Sequence, residues 1–296
     1  MLADKPRWDV EGRAWPLREA SRFVETDRLR WHVQQLGQGP VVLLLHGTGA
    51  ATHSWRGLAP LLAERFTVVA PDLPGHGFTQ GRPTGGLAMP AMARAVGALC
   101  AKLDLAPTLI VGHSAGAATA CRMVLDGFAA PAGVVALNGA LLPFPGLAAK
   151  LFPGLARLLF VNPFAPHLFA GWARQPGEVA RFLKRSTGSA IDRAGLDAYA
   201  ALFGTAGHCA GAITMMADWD LESLARDLPR LAAPLLLLHG DADPMVPPSV
   251  SERVAAMVPG ARFDTLSGLG HLAHEEAPEA VAVWIGAFAD ALKVTG

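Results

Sequence analysis

Cysteine and charged residues are scarce in this chain of 296 residues. Its three cysteines (Cys100, Cys121 and Cys209) form no C-x-x-C pair, so the pattern predicts buried free thiols in a reducing cytoplasm rather than a redox or zinc motif. Charged residues make up only 17%, and 25 basic side chains balance 25 acidic ones, which predicts no nucleic acid as a partner. No apolar run approaches the ~18 residues that a membrane-spanning helix needs.

Targeting and cofactor motifs are also lacking. Residues 1–30 carry mixed charge and no apolar signal core, so we predict a cytoplasmic protein. No G-x-x-x-x-G-K-[ST] motif occurs, which excludes a P-loop ATPase. Gly47-Thr48-Gly49 follows an apolar run, but Thr52 stands where a dinucleotide fingerprint needs its third glycine. Several histidines also lack metal-ligand spacing, so we predict neither a metal nor a cofactor: His53, His76, His113, His167 and His208.

Short apolar runs alternate with helical patterns along most of the chain. Runs typical of strands buried on both faces of a parallel sheet occur at 41–45, 67–70, 109–111, 133–137 and 235–238. Helical spacing separates them, as in the steps of 4, 3 and 4 between Met92, Val96, Leu99 and Leu103. The alternation predicts an α/β fold with a mostly parallel central sheet and helices on both faces.

The alternation is interrupted after Asn138. From Leu141 to about Gly188 the chain shows no strand pattern, many prolines, and aromatic residues at helical spacing. We predict that residues 1–140 and 216–296 form the core and that 141–215 form a helical cap inserted between two strands. Such an insertion lies above the carboxyl ends of the strands, where ligands of open α/β sheets bind.

The inserted segment is basic although the chain is neutral. Between 141 and 185, six basic side chains and one acidic one give a net charge of +5: Lys150, Arg157, Arg174, Glu178, Arg181, Lys184 and Arg185. Leucines at 147–159 have helical spacing and predict a helix whose apolar face lies beside Lys150 and Arg157. Two interpretations remain open. The helix closes the cleft, or the cap binds a large apolar, carboxylated substrate or an anionic membrane surface.

A serine enclosed by glycines follows the central apolar run. Gly112-His-Ser-Ala-Gly116 is typical of a strand, a sharp turn and a helix, in which the backbone around Ser114 tolerates only small neighbours. The turn exposes the serine oxygen beside a helix N-terminus, whose N–H groups favour negative charge. Alone, the pentapeptide fits equally well a turn serine that caps a helix.

An acid and a base follow this serine in the chain. A serine hydroxyl needs a base to take its proton, and the base needs a carboxylate to fix its tautomer. We assign Ser114 as the nucleophile, Asp243 as the acid and His271 as the base. The alternatives are Asp241 for the acid and His274 for the base.

Local context favours the first choice in both cases. Asp243 lies four residues before Pro247 in a G-x-x-D-x-x-V-P loop that follows the run at 235–238. His271 follows Gly270 directly in a tight loop. The chain order of serine, acid and histidine is the order that an α/β-hydrolase requires.

Two backbone N–H groups are needed to stabilise the oxyanion that forms when serine attacks a carbonyl. We predict that Ala115 supplies one, because it directly follows the nucleophile. Thr48 supplies the other, from the His46-Gly-Thr-Gly49 loop after the first long apolar run. We expect His46 to brace that loop through hydrogen bonds rather than to take part in catalysis.

Taken in order, five motifs resemble an α/β-hydrolase with a cap, over essentially the whole chain. They are H-G-T-G, D-x-P-G-H-G-x-T, G-H-S-A-G, G-D-A-D-x-x-V-P and G-H-L-A-H-E-E-x-P-E. The resemblance implies the α/β-hydrolase fold and hydrolytic chemistry. Ser114 departs from the dehalogenases and epoxide hydrolases of this fold, whose nucleophile is a carboxylate.

Three further stretches, 47–56, 137–143 and 215–221, resemble the BchO-type magnesium-chelatase accessory proteins. This resemblance implies a place in bacteriochlorophyll biosynthesis, a tetrapyrrole pathway, but establishes no reaction. Two functions remain open. One is a serine hydrolase acting on an ester, thioester or lactone, with a small-molecule substrate that is apolar and carboxylated. The other is an accessory protein without turnover, which binds a porphyrin or assists magnesium chelatase. In either case, a cap that binds an anionic membrane surface would place the protein at the periphery of the inner membrane.

Overall fold

Nine strands form one sheet in the computed structural model, which describes residues 4–143, 162 and 164–294. In chain order they are β1 (Ser21–Thr26), β2 (Leu29–Leu36), β3 (Val41–Leu45), β4 (Thr67–Pro71), β5 (Gln80–Gly81), β6 (Leu109–His113), β7 (Gly133–Leu137), β8 (Leu235–Gly240) and β9 (Arg262–Leu266). They lie side by side as β1-β2-β4-β3-β6-β7-β8-β9, and β5 pairs with β2. All neighbours from β4 onward in this order are parallel, which confirms the predicted sheet.

The central strands are buried on both faces, as their uninterrupted apolar sequences predict. Successive side chains of a strand point to opposite faces of the sheet. Leu43 and Leu45 of β3 accordingly pack in one apolar core, whereas Val42 and Leu44 pack in the other. A sheet covered on both faces hides its apolar side chains from water, and each fully buried Leu or Val stabilises the fold by about 1.5–3 kcal/mol.

Helices cover the two faces of the sheet. In chain order they are α1 (Leu58–Ala63), α2 (Met89–Lys102), α3 (Ala115–Leu125), α4 (Ala165–Ala173), α5 (Glu178–Thr187), α6 (Arg193–Phe203), α7 (Ala206–Ala217), α8 (Leu221–Asp227), α9 (Ser249–Met257), α10 (Ala273–Glu276) and α11 (Pro278–Ala291). Side chains from α2, α3, α8 and α9 pack in the first core, and side chains from α1 and α11 pack in the second. The architecture is that of an α/β-hydrolase.

Five of the described helices, α4 to α8, lie between β7 and β8 in the chain, and we call the first four of them, α4 to α7, the inserted helices. They occupy the sequence in which we predict the cap, and the limits of that cap at 141 and 215 stay a prediction. The leucine-rich helix predicted at 147–159, with Lys150 and Arg157, falls outside the described residues. In the described ranges no single helix could span a membrane. Only the pair α6 and α7 together reaches the necessary length and apolar composition, with a bend of 88°.

The apolar spacing of a helix can run slightly beyond the helix itself: the face predicted from Met92 to Leu103 exceeds α2, which ends at Lys102, by one residue. Helix α8 ends at Asp227 and a short 3₁₀ turn continues to Arg230, so Leu231 lies outside the helix although it is buried in the core. Pro229 explains the end, because proline lacks the N–H that a further helical turn requires. Apolar spacing reports which side chains face the core and not where the backbone hydrogen bonds stop.

All three cysteines are buried and free. Burial raises the pKa of the Cys100 thiol to about 11 and that of both Cys121 and Cys209 to about 12. These thiols are therefore protonated and unreactive near neutral pH, because the thiolate is the nucleophilic form. The structure confirms the three buried free thiols that the sequence predicts.

Candidate active site

Ser114 occupies the turn between β6 and α3 in a strained backbone conformation. Its φ is 51° and its ψ is −116°, outside the regions that side chains with a Cβ normally adopt. A Cβ added to Gly112 or Gly116 would lie 2.4 Å or 2.0 Å from backbone atoms, so only glycine fits on either side of the serine. The predicted reason for the two glycines is confirmed. The turn leaves the Ser114 side chain partly exposed at the carboxyl end of β6.

His271 and Asp243 form a buried pair on the loops that follow β9 and β8. His271 Nδ1 lies 2.7 Å from Asp243 Oδ2. The other carboxylate oxygen, Oδ1, accepts the backbone N–H groups of Met245 at 2.8 Å and Val246 at 3.0 Å. Because Nδ1 is bound to the carboxylate, Nε2 is the nitrogen that can accept a proton.

Several donors around Asp243 keep its carboxylate ionised. Burial by itself raises the pKa of this group, but hydrogen bonds from His239, His271 and Asn138 more than offset the effect. The pKa of Asp243 therefore lies well below its usual range. A permanent negative charge at this position stabilises the imidazolium that forms when His271 takes up a proton.

Sequence reasoning did not identify Asn138 and His239 as partners of the acid. Asn138 follows β7 with a φ of 47°, and its Nδ2 donates to Asp243 Oδ2 at 2.8 Å. His239, near the end of β8, has its Nε2 2.8 Å from the carbonyl oxygen of Val246 and 3.3 Å from Asp243 Oδ2. A signal was present in the sequence, since each is a polar side chain at the carboxyl end of an apolar strand.

The two alternative residues lie elsewhere. Asp241 is exposed, and its Oδ1 accepts the backbone N–H of Gly268 at 2.7 Å. His274 is buried with its Nε2 2.7 Å from Ser54 Oγ. The structure thus joins Asp243, rather than Asp241, to His271. The assignment of these residues to catalytic roles stays a prediction.

His113 connects the serine turn to the base loop. Its Nε2 donates to the carbonyl oxygen of His271 at 2.9 Å, and its ring lies against Gly47. Within the described residues there is no hydrogen bond between Ser114 Oγ and His271. In free hydrolases this bond is often long and shortens when substrate is bound.

The loop after β3 lies against the serine. A Cβ on Gly47 would be 3.1 Å from Ser114 Cβ, so the H-G-T-G loop approaches the nucleophile closely. The Thr48 hydroxyl donates to Met215 Sδ at 3.5 Å, and no acceptor for the Thr48 backbone N–H is found in the part of the chain that the structure describes. Ala115 begins α3, where backbone N–H groups have no partner within the helix. The oxyanion role of both groups stays a prediction.

His46 makes the bracing hydrogen bonds that the sequence predicts. Its Nδ1 donates to the carbonyl oxygen of Gly47 at 2.8 Å, and its Nε2 accepts the backbone N–H of Leu73 at 2.8 Å. Burial lowers the pKa of His46, although the charge of Asp72 acts in the opposite direction. The ring is therefore neutral and ties the H-G-T-G loop to the loop after β4.

His208 of α7 holds the same region from the inserted helices. Its Nε2 donates to the carbonyl oxygen of Gly49 at 3.0 Å, and its Nδ1 accepts the backbone N–H of Gly77 at 3.1 Å. Burial lowers the pKa of His208 to about 4, so the ring is neutral near pH 7 and can accept that second bond. The helix α7 is thereby hydrogen-bonded to two loops of the core.

In the described ranges no group of three or more His, Cys, Asp or Glu side chains could hold a metal ion.

Comparisons with known proteins agree with the fold. Residues 40–278 match the family model described as the alpha/beta hydrolase fold. The chain is 38% identical over 270 residues to the magnesium-chelatase 30 kDa subunit of Rhodobacter capsulatus, covering 90% of this chain and 94% of that protein. It is 30% identical over 266 residues to the pimeloyl-[acyl-carrier protein] methyl ester esterase of Aromatoleum aromaticum, covering 83% of this chain and 96% of that protein.

A solved structure gives the same result for the fold. A thermophilic esterase from Thermogutta terrifontis superposes with a TM-score of 0.72 at 24% sequence identity. The match covers 92% of this chain and 99% of the esterase. At this identity the likeness concerns the fold alone.

Proposed function

The chain belongs to the α/β-hydrolase family, and on that premise we propose that it is a serine hydrolase that cleaves an ester, a thioester or a lactone. One observation carries the proposal. A serine in a strained turn lies at the same end of the sheet as a buried His–Asp pair, in the chain order that hydrolysis by this fold requires. A protein that only binds a ligand has no need of this arrangement.

In this proposal Ser114 Oγ attacks the carbonyl carbon of the substrate while His271 Nε2 takes the hydroxyl proton. The carbonyl oxygen becomes an oxyanion, which the N–H groups of Thr48 and Ala115 stabilise. When the tetrahedral intermediate breaks down, His271 returns the proton to the leaving alcohol or thiol, and an acyl-enzyme remains. Water activated by His271 then attacks the acyl group, which releases the acid and restores Ser114.

Similarity to a magnesium-chelatase subunit supports a role in bacteriochlorophyll biosynthesis. We propose an apolar and carboxylated substrate for this reason, since porphyrin intermediates carry both features. The same similarity favours a second candidate function, in which the protein binds a porphyrin or assists magnesium chelatase without turnover. The two functions differ in one property, namely whether Ser114 reacts as a nucleophile.

Labelling with a fluorophosphonate probe tests that property. A serine activated by a neutral histidine is expected to form a stable covalent adduct, whereas an inactive serine is not. We expect wild-type protein to gain one adduct, located to Ser114 by mass spectrometry of tryptic peptides. The Ser54→Ala variant serves as a control, because it removes a different serine hydroxyl, which is buried. We expect it to label normally. Absence of an adduct in folded wild-type protein would favour the accessory role.

Hydrolysis of a short model ester is expected to become faster as the pH rises from about 5 to 8. Asp243 stays ionised throughout this range because hydrogen bonds hold its pKa well below the usual value. A histidine base accepts a proton only in its neutral form, so enzymes that use one lose activity towards acid pH. Measurement of kcat/KM for p-nitrophenyl acetate across this range checks the prediction. A flat profile contradicts a histidine base.

A further inference from the structure

A short segment of the inserted helices contacts the loop that carries the base. We call residues 187–190 the strap. It runs from the end of α5 towards α6 and belongs to neither the acid loop nor the base loop in sequence. The loop that contains His271 lies against the strap, and the two segments are more than 80 residues apart in the chain.

Three consecutive backbone N–H groups of the base loop have their acceptors either in the strap or on the Glu276 carboxylate. The N–H of His271 donates to the carbonyl oxygen of Thr187 at 2.7 Å. The N–H of Leu272 donates to Ser189 Oγ at 2.9 Å. The N–H of Gly270 donates to Glu276 Oε1 at 2.8 Å. The backbone is thus fixed on both sides of the base as well as at the base itself.

Glu276 joins the third of these bonds to the strap. Its Oε1 also accepts the Ser189 hydroxyl at 2.6 Å, and its Oε2 accepts the backbone N–H of Ala190 at 3.0 Å. Both carboxylate oxygens are therefore occupied by the strap or by the base loop. Hydrogen bonds to a carboxylate are about twice as strong as those between neutral groups, so Glu276 is well suited to hold the two segments together.

The two segments also approach too closely for any side chain at Gly270. A Cβ there would lie 2.5 Å from the carbonyl oxygen of Thr187 and 2.6 Å from Ser189 Oγ. Backbone therefore packs directly on backbone, with the Ser189 hydroxyl filling the remaining space. A contact this close leaves little space for the base loop to shift, because protein interiors are close-packed.

We propose that Ser189 and Glu276 are positioning residues for His271 and that the inserted helices are required to aim the base. This inference rests on the proposed hydrolase function. Neither residue touches the reacting atoms in this scheme, because both act on the backbone of the base loop. Their effect reaches catalysis through the orientation of the His271 ring between Asp243 and Ser114, where a displacement of about 1 Å can cost a factor of about 100 in rate.

Three variants test the proposal with the full-length protein. Ser189→Ala removes the hydroxyl that bonds Leu272 and Glu276, whereas Ser189→Thr keeps a hydroxyl at the same position. Ser186→Ala is the matched control, since the Ser186 hydroxyl bonds only carbonyl groups of its own helix α5. We expect fluorophosphonate labelling of Ser114 to slow about 10- to 100-fold in Ser189→Ala, to recover largely in Ser189→Thr, and to be unchanged in Ser186→Ala.

A second measurement observes the base without relying on activity. We expect the proton between His271 Nδ1 and Asp243, 2.7 Å apart, to give a far-downfield ¹H NMR signal, which can be assigned by its loss in Asp243→Asn. We expect this signal to shift or broaden in Ser189→Ala and in Glu276→Gln and to persist in Ser186→Ala. Glu276→Gln keeps one acceptor oxygen and so provides a milder change should Ser189→Ala fail to fold.

The outcomes separate this proposal from the proposed function. If wild-type Ser114 does not label, the hydrolase proposal fails, and the NMR signal still decides whether the strap orients His271. If wild-type protein labels and both Ser189→Ala and Glu276→Gln label at the same rate with an unchanged downfield signal, the strap is only a packing contact and the positioning proposal is overturned.

Discussion

Replacement of Ser114 by alanine is expected to lower kcat for p-nitrophenyl acetate about 10⁶-fold, the loss typical of a serine hydrolase without its nucleophile. The remaining groups can still bind the ester and polarise its carbonyl, but no acyl-enzyme can form. Both acylation and the proton transfer through His271 are lost together. The effect is the largest that any single substitution in this chain is expected to have on turnover.

The fold is expected to survive this substitution. The turn is held by backbone hydrogen bonds, since the Ser114 N–H donates to Leu137 and its carbonyl oxygen accepts the N–H groups of Ala117 and Ala140. Alanine makes the same bonds and loses only the hydroxyl. Circular dichroism and thermal unfolding of Ser114→Ala should therefore match the wild type. Activity near the wild-type level in a folded variant means that another residue is the nucleophile.

Asparagine at position 243 is expected to reduce kcat about 10⁴-fold, as loss of the triad carboxylate does elsewhere. Donors surround the carboxylate, so an amide fits badly in either orientation. One oxygen receives His271 and Asn138, and the other receives two backbone N–H groups. An NH₂ group in either place faces a donor, which leaves a buried group unsatisfied at a cost of about 1–3 kcal/mol.

Asp241→Asn supplies the matched control for this experiment. Asp241 is exposed and uses one oxygen to accept the Gly268 N–H, a bond that an asparagine oxygen can also make. We expect ester hydrolysis by this variant to stay within a factor of about two of wild type, since exposed substitutions of this kind typically change stability by less than 0.5 kcal/mol. A severe loss in Asp241→Asn together with normal activity in Asp243→Asn would move the acid to position 241.

Local sequence was sufficient to predict those features that depend on residues close together in the chain. The strand at 109–113, the serine turn and the two crowded glycines follow from apolar runs and from the space that a tight turn leaves. The same reasoning separated Asp243 from Asp241 by its position in the loop, and the structure joins Asp243 to His271. Backbone geometry over about five to ten residues limits which residue types can occur there, so it can be predicted from the sequence.

The parts that sequence reasoning did not find depend on contacts between distant segments. Nothing near Ser189 indicates that its hydroxyl accepts the N–H of Leu272, 83 residues later. Asn138 is likewise 105 residues from the carboxylate that it contacts. A serine or an asparagine in a loop is compatible with many partners. Only the packing of the inserted helices and strands decides which one it meets.

Substrate identity likewise depends on contacts between distant segments, which the sequence does not reveal. The residues that attack a carbonyl follow a motif, whereas the groups that recognise the rest of a molecule follow the shape of a cleft. Several aromatic rings of the inserted helices contact one another, including Phe169, Trp172, Phe182 and Phe203. Aromatic residues at helical spacing are visible in the sequence up to about Gly188. The contacts between these rings, however, involve side chains from three separate helices.

The strap has a consequence for how this protein loses activity on heating. Proteins open in cooperative units of unequal stability, and a peripheral pair of helices commonly opens before a central sheet does. If α5 and α6 separate from the core while the sheet stays folded, His271 and Leu272 lose their backbone N–H acceptors together. Glu276, which accepts the N–H of Gly270, loses its bonds to the strap at the same time. Loss of the proposed hydrolase activity would then precede global unfolding, and the local stability of the inserted helices would set its upper temperature limit.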